Sequence, residues 1–155
     1  MKTGNPIKFG IDEALNPAHF QRKSSTWYRY LDETILVVNL QKSNFGKQYY
    51  INLGIFAKDL RGDPDDKRDP KESDCHIRIR LDALEPADQD RLRLLLNLED
   101  NSIDAAERQQ GIAIAVARTA LPFLIQCSTR QSIRYADSIG KLSGAIVHKS
   151  IREKD

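Results

Sequence analysis

The stretch TILVVNLQKSNFGKQYYINLGIF, residues 34–56, decides the fold. Two β-branched and aromatic runs, 34–42 and 48–56, flank Ser43, Asn44, Phe45, Gly46 and Lys47, a loop whose glycine accepts a positive φ. That combination reads as an antiparallel hairpin. Because strand side chains alternate, Leu36, Val38 and Leu40 share one face with Tyr49, Ile51, Leu53 and Ile55 of the second arm, giving a continuous apolar surface. The opposite face shows Asn39 and Gln41, then Gln48, Tyr50, Asn52 and Gly54.

Outward from the hairpin, residues 25–31 set Trp27, Arg29 and Leu31 on one side and Tyr28 and Tyr30 on the other, predicting a preceding strand. Residues 75–81 alternate Ile77, Ile79 and Leu81 against His76, Arg78 and Arg80, predicting a fourth. Phe9, Ile11, Ala14 and Leu15 follow a helical spacing that Pro17 should stop. Pro86 suits the first turn of a helix running to about residue 98, with Asp88 and Asp90 at the positive end of its dipole and Leu92, Leu95, Leu96 and Leu98 as its apolar stripe.

Asn101 followed by Asp104 predicts the cap of the longest helix, with Ile103, Ala106, Ile112, Ala115, Val116 and Ala120 on one side. Pro122 should kink or end it near residues 119–121. A further helix is expected over 129–139 and a short one over 142–151, with Gly140 and Gly144 marking breaks and a tail, 152–155, that frays. Residues 58–74 are almost entirely charged, broken by Gly62, Pro64 and Pro70, with no apolar residue after Leu60. They read as a mobile loop with nothing to pack. The order of elements predicts an α+β fold: an antiparallel sheet of about four strands, with an N-terminal helix and C-terminal helices on one face.

A chain of 155 residues, 40% apolar and 30% charged, fits one domain over residues 1–155 with a single core. Twenty-four basic against 22 acidic residues leave a net charge of +2, short of the basic excess that non-specific nucleic-acid binding requires. Residues 1–17 lack the charged start and apolar stretch of a leader, and nowhere do 18 apolar residues run together, so a cytoplasmic protein that does not enter a membrane is expected.

Reactive chemistry finds little footing. His19, His76 and His148 stand alone on different elements, without the spacing that converges on a metal. Asp63, Asp65, Asp66 and Asp69 lack the glycine and the terminal glutamate of a calcium loop. Cys75 and His76 are strand neighbours and so point to opposite faces, while Cys127 has no base nearby in sequence; both cysteines read as reduced core thiols. Gly140, Lys141, Leu142, Ser143 and Gly144 lack the upstream glycine and strand of a phosphate loop. No catalytic residue, metal or cofactor is assigned.

The polar side of the sheet stands out instead. Arg29, Asn39, Gln41, Asn52, Arg78 and Arg80 offer amide donors and planar guanidinium forks suited to carboxylates, phosphates or peptide groups. Tyr50, with Trp27, Tyr28 and Tyr30, adds flat contact area. The plain alternative is that half-burial alone makes these strand positions polar.

Phe20, Gln21, Arg22 and Lys23, then Trp27, Tyr28 and Arg29, then Val37, Val38, Asn39, Leu40, Gln41, Lys42 and Ser43 form a sequence pattern, continued by Tyr50, Ile51, Asn52, Leu53, Gly54 and Ile55. Cys75, Arg80 and Leu81 extend it more loosely. In these residues the chain resembles the bacterial family known as domain of unknown function 4304. The resemblance implies a stand-alone small domain and carries over no catalytic residue.

Three functions follow from this reading. The first is a binding or interaction module, of an immunity or defence type, that meets another bacterial protein through the polar sheet face or the charged loop. The second is an enzyme without a recognisable motif that holds a phosphorylated or carboxylated small molecule between Arg78 and Arg80, which requires a concave pocket where they converge. The third is a weak nucleic-acid binder with a basic stripe of Arg22, Lys23, Arg29, Lys42, Lys47, Arg78 and Arg80.

Overall fold

A computed structural model of the protein describes residues 4–153. Helix α1 (Pro6–Leu15) starts on Asn5, whose side chain accepts the Ile7 N–H at 2.8 Å, and Pro6 occupies the position where a missing N–H costs nothing. Strands β1 (Gln21–Lys23), β2 (Thr26–Tyr30), β3 (Thr34–Lys42), β4 (Tyr49–Ala57), β5 (Ile77–Arg80) and β6 (Ile146–Val147) follow. They form one antiparallel sheet in chain order, six strands rather than four. The two additional strands are the edges. β1 is three exposed residues with no apolar alternation to announce it, and β6 is two residues within the stretch expected to be helical. There, residues 142–151 form turns, β6 and a single 3₁₀ turn, Lys149–Ile151.

All helices of the main core pack on one face. Trp27, Leu36, Val38, Ile51, Leu53, Ile55, Ile77 and Ile79 point toward Ile7, Ile11, Ile112, Val116 and Leu124, all of them buried. Trp27 is wholly buried, and its indole N–H donates to Asp12 at 2.8 Å; Asp12 also holds Arg22 at 3.1 Å, joining α1 to β1 and β2. Within α1, a Cβ on Gly10 would lie 2.6 Å from the Gln109 carbonyl, so only glycine lets α1 cross so close to α4 (Ala105–Ala115).

Asp104 caps α4, accepting the Glu107 N–H at 2.7 Å. The helix does not end before Pro122. A π turn over Val116–Ala120, closed by the Leu121 N–H on the Val116 carbonyl, leads directly into α5 (Leu121–Gln126). One wider turn absorbs the donor that proline lacks. Helix α6 (Arg130–Ser138) follows Thr129, which caps it with Ser132. The β2–β3 turn grips the α5–α6 corner: Thr34 Oγ1 donates to the Ser128 carbonyl at 2.7 Å, and Glu33 accepts the Arg130 N–H at 3.0 Å.

Periodicity places Ala106 on the buried side of α4, but Ala106 is exposed and Arg108 is the buried residue, 4% accessible. Helix α3 (Gln89–Leu95) ends against it, and the Arg108 guanidinium donates to the carbonyls of Leu94 (2.9 Å), Leu95 (2.8 Å) and Asp100 (2.6 Å). A cation at this C-terminus meets acceptors that have no partner within the helix.

The far face of the sheet is also covered, over half its extent. Tyr28, Ile35, Val37, Phe56 and Cys75 form a second apolar cluster beneath residues 58–76. That segment, expected to find nothing to pack against, lies on the sheet. Tyr28 donates to the Pro70 carbonyl (3.0 Å), Tyr30 and Lys23 to Asp69 (2.9 and 2.5 Å), and Arg78 forks onto Glu72 (3.0 and 3.4 Å). Cys75 packs on Gly54, where a Cβ would sit 2.6 Å from its sulfur. The tail expected to fray begins at Arg152, which forks onto Asp137 at 2.9 Å; residues 154 and 155 lie outside the described chain. No single helix among the described residues is long and apolar enough to cross a membrane.

Two tests of this architecture follow from its buried polar groups. Arg108→Met keeps the volume but removes three hydrogen bonds to backbone carbonyls, and should cost about 3 kcal/mol of unfolding free energy by chemical denaturation. Arg108→Lys should recover only part of this, because an ammonium cannot reproduce the fork. His76 Nδ1 accepts the Ala57 N–H at 3.0 Å, and burial, with His148 and Arg130 nearby and Asp59 opposing them, lowers its pKa. The unfolded chain therefore takes up a proton below about pH 6.5 that the folded chain resists. Stability should be fully present above that pH and fall as the pH drops toward the lowered folded value, a decline that His76→Gln reduces in denaturation series between pH 7.5 and 5.5.

Candidate functional site

The open half of the far sheet face is built by the register of four strands. Thr26 lies opposite Asn39, Asn39 opposite Asn52, and Asn52 opposite Arg80, so one residue from each of β2 to β5 forms a row perpendicular to the strands. In the next row outward Gln41 faces Tyr50. All six point away from the helices because each is offset by one from the core positions Trp27, Leu40, Ile51 and Ile79.

The amides link laterally. Asn39 donates to the Thr26 hydroxyl at 3.0 Å, and Asn52 donates to the side-chain carbonyls of Asn39 (3.3 Å) and Gln41 (3.0 Å). Asn52, 8% accessible, is the centre of this net. Beside it the Arg80 guanidinium lies over the Tyr50 ring, 4.5 Å from its centroid, and forks onto Asp82 at 3.0 and 2.6 Å. Asp82 is 5% accessible, so a buried carboxylate holds the flat cation against the ring and keeps it protonated. The carbonyls of Asn39 and Gln41 are turned into the net. What faces outward is the Gln41 amide N–H₂, the Tyr50 hydroxyl and the exposed edge of Arg80, a surface of donors.

The predicted set is thus partly assembled. Asn39, Gln41, Tyr50, Asn52 and Arg80 come together. Arg78 shares their face but sits at the border of the covered half, committed to Glu72. Arg29 does not belong: it pairs with Leu36 and points to the helix side, as Trp27 does. Of the aromatic residues, Trp27 is in the main core and Tyr28 in the second cluster. Two contributors escape the sequence reading, Thr26 and Asp82. Thr26 was legible, being in phase with Tyr28 and Tyr30; Asp82 was not, since its role depends on the chain turning from β5 into the helical turn Leu81–Leu84.

The pocket in which Arg78 and Arg80 should converge is absent from their geometry, as each guanidinium forks onto a different carboxylate. The basic stripe is likewise divided. Arg22 pairs with Asp12 on the helix side, Lys23 with Asp69, and Arg29 faces the helices. Both cysteines are free and buried; burial pushes the Cys127 thiol up to about 12 and that of Cys75 higher still, so neither offers a thiolate. Among the described residues no group of three or more His, Cys, Asp or Glu side chains could hold a metal ion.

No curated protein and no solved structure matches the chain. A family comparison does, in the half where the hairpin, the amide row and Arg80 lie and onward through α5. The chain belongs to the family described as Domain of unknown function (DUF4304), which it matches over residues 11–126.

Proposed function

We propose that the protein is a binding module that recognises another protein through the open half of its far sheet face. The observation that carries this reading is the orientation of the amide net, which spends the Asn39 and Gln41 carbonyls internally and leaves the Gln41 amide N–H₂, the Tyr50 hydroxyl and Arg80 to donate outward. The matching partner is rich in acceptors: peptide carbonyls or carboxylates on an exposed strand or loop. Tyr and Arg are the side chains that most often anchor such contacts, and here both are held in place before binding, which lowers the entropic cost of association. Lys47, exposed in the turn of the same hairpin, favours an acidic partner.

A photocrosslinking residue placed at Gln41, expressed in the native host, should yield a discrete protein adduct. The same residue at Lys67, on the covered half, should not. Arg80→Glu combined with the crosslinker at Gln41 should reduce the adduct by at least about tenfold, as expected from loss of one charge-assisted contact. No adduct from Gln41, or an adduct undiminished by Arg80→Glu in a variant with unchanged circular dichroism, overturns the reading.

A further inference from the structure

On the helix side, away from the sheet face just described, a cavity of about 250 Å³ lies where α3 and the turn before it meet α4 and the π turn. Its floor is apolar: Leu81, Leu92 and Leu95 are buried core residues that reach it from below, and Ala115 and Ile114 form its wall on α4. Gly111 shapes it. A Cβ there would stand 2.6 Å from Leu95 Cδ2, so the glycine seats the Leu95 side chain against α4 and leaves the space above it open.

The mouth is charged, and in a balanced way. Arg91 and Arg118 stand at it with Glu85 and Asp88, all four exposed. Among the described residues none of the four side chains makes an ion pair or hydrogen bond. Arg108, Arg78, Arg80 and Arg152, by contrast, each fork onto acceptors of this chain. The π turn carries Arg118 itself, and π turns inside helices are frequent at functional sites.

From an apolar floor under two uncommitted cations and two uncommitted anions, we infer that this cavity is a binding site for a small zwitterion with an apolar tail, of the class of a branched or aromatic α-amino acid. The carboxylate of such a ligand meets Arg91 and Arg118, its ammonium meets Glu85 and Asp88, and its side chain displaces water from the leucine floor. At roughly 30 Å³ for each water-sized unit, the cavity has room for about eight such units, the scale of leucine. A purely anionic ligand would leave the two carboxylates facing its own charge. A purely cationic one would oppose the guanidiniums.

The test uses methyl-resolved NMR on the full chain, titrated separately with L-leucine, with 4-methylpentanoate, which lacks the ammonium, and with 3-methylbutylamine, which lacks the carboxylate. L-Leucine should produce saturable shifts at the Leu92, Leu95 and Ile114 methyls, and the two single-charge compounds should bind at least about tenfold more weakly. Arg118→Gln should weaken L-leucine binding by a similar factor, and Ala115→Leu, which fills the cavity, should abolish it, with both variants keeping the wild-type methyl dispersion. The inference is overturned by any of three results: no saturable shift at those methyls up to about 20 mM L-leucine, equal binding of leucine and 4-methylpentanoate, or binding that survives Ala115→Leu. None of these results bears on crosslinking at Gln41.

Discussion

The pairing of β3 with β4, nine residues against nine with Asn39 facing Asn52, is the constraint from which the rest of the molecule is laid out. A shift of one residue would send Leu36, Val38, Ile51 and Leu53 to the far face and bring the amides against the helices. With the register as it is, one face of the hairpin is apolar along its whole length and receives the main core. The other is apolar only at the Ile35, Val37 and Phe56 end, and residues 58–76 cover that end alone. The helical layer, the covered patch and the open polar row are three consequences of one alignment.

Much of this was legible in the residues, and the misses have physical causes. The hairpin, β2 and β5 rest on local alternation, which sequence states directly, whereas the cap read at Asn101 with Asp104 falls on Asp104 itself. The covering of the far face was also written there. Ile35, Leu36, Val37 and Val38 are apolar in both phases, the mark of a strand buried on two sides, and a cover was therefore needed from a segment that seemed too charged to supply one. That segment uses Pro70, Cys75 and backbone carbonyls rather than an apolar stripe. Arg108, by contrast, could not be found by pattern, since an arginine within a helix reads as solvated until the end of α3 is known to abut it.

At the site, parity assembled Asn39, Gln41, Tyr50, Asn52 and Arg80 correctly and would have excluded Arg29, whose phase with Trp27 is visible in the sequence. What parity does not show is commitment. Whether a guanidinium is available to a partner depends on carboxylates brought to it by turns, as Glu72 is to Arg78 and Asp82 to Arg80. Counting arginines on a strand face therefore overstates the charge that face offers. The Arg80 guanidinium is held by Asp82 and lies flat over the Tyr50 ring, so only its outer edge is exposed.

The closed geometry of the amide net also shapes how this surface can change over time. Asn52 donates to two carbonyls that belong to different rungs of β3, so replacing it alone leaves Asn39 and Gln41 each short of a donor, and replacing either of those leaves Asn52 short of an acceptor. Single substitutions are penalised where coordinated ones are not. Positions 39, 41 and 52 should accordingly covary as one unit through descent, whereas Phe45 at the hairpin tip, almost wholly exposed, is free to drift independently.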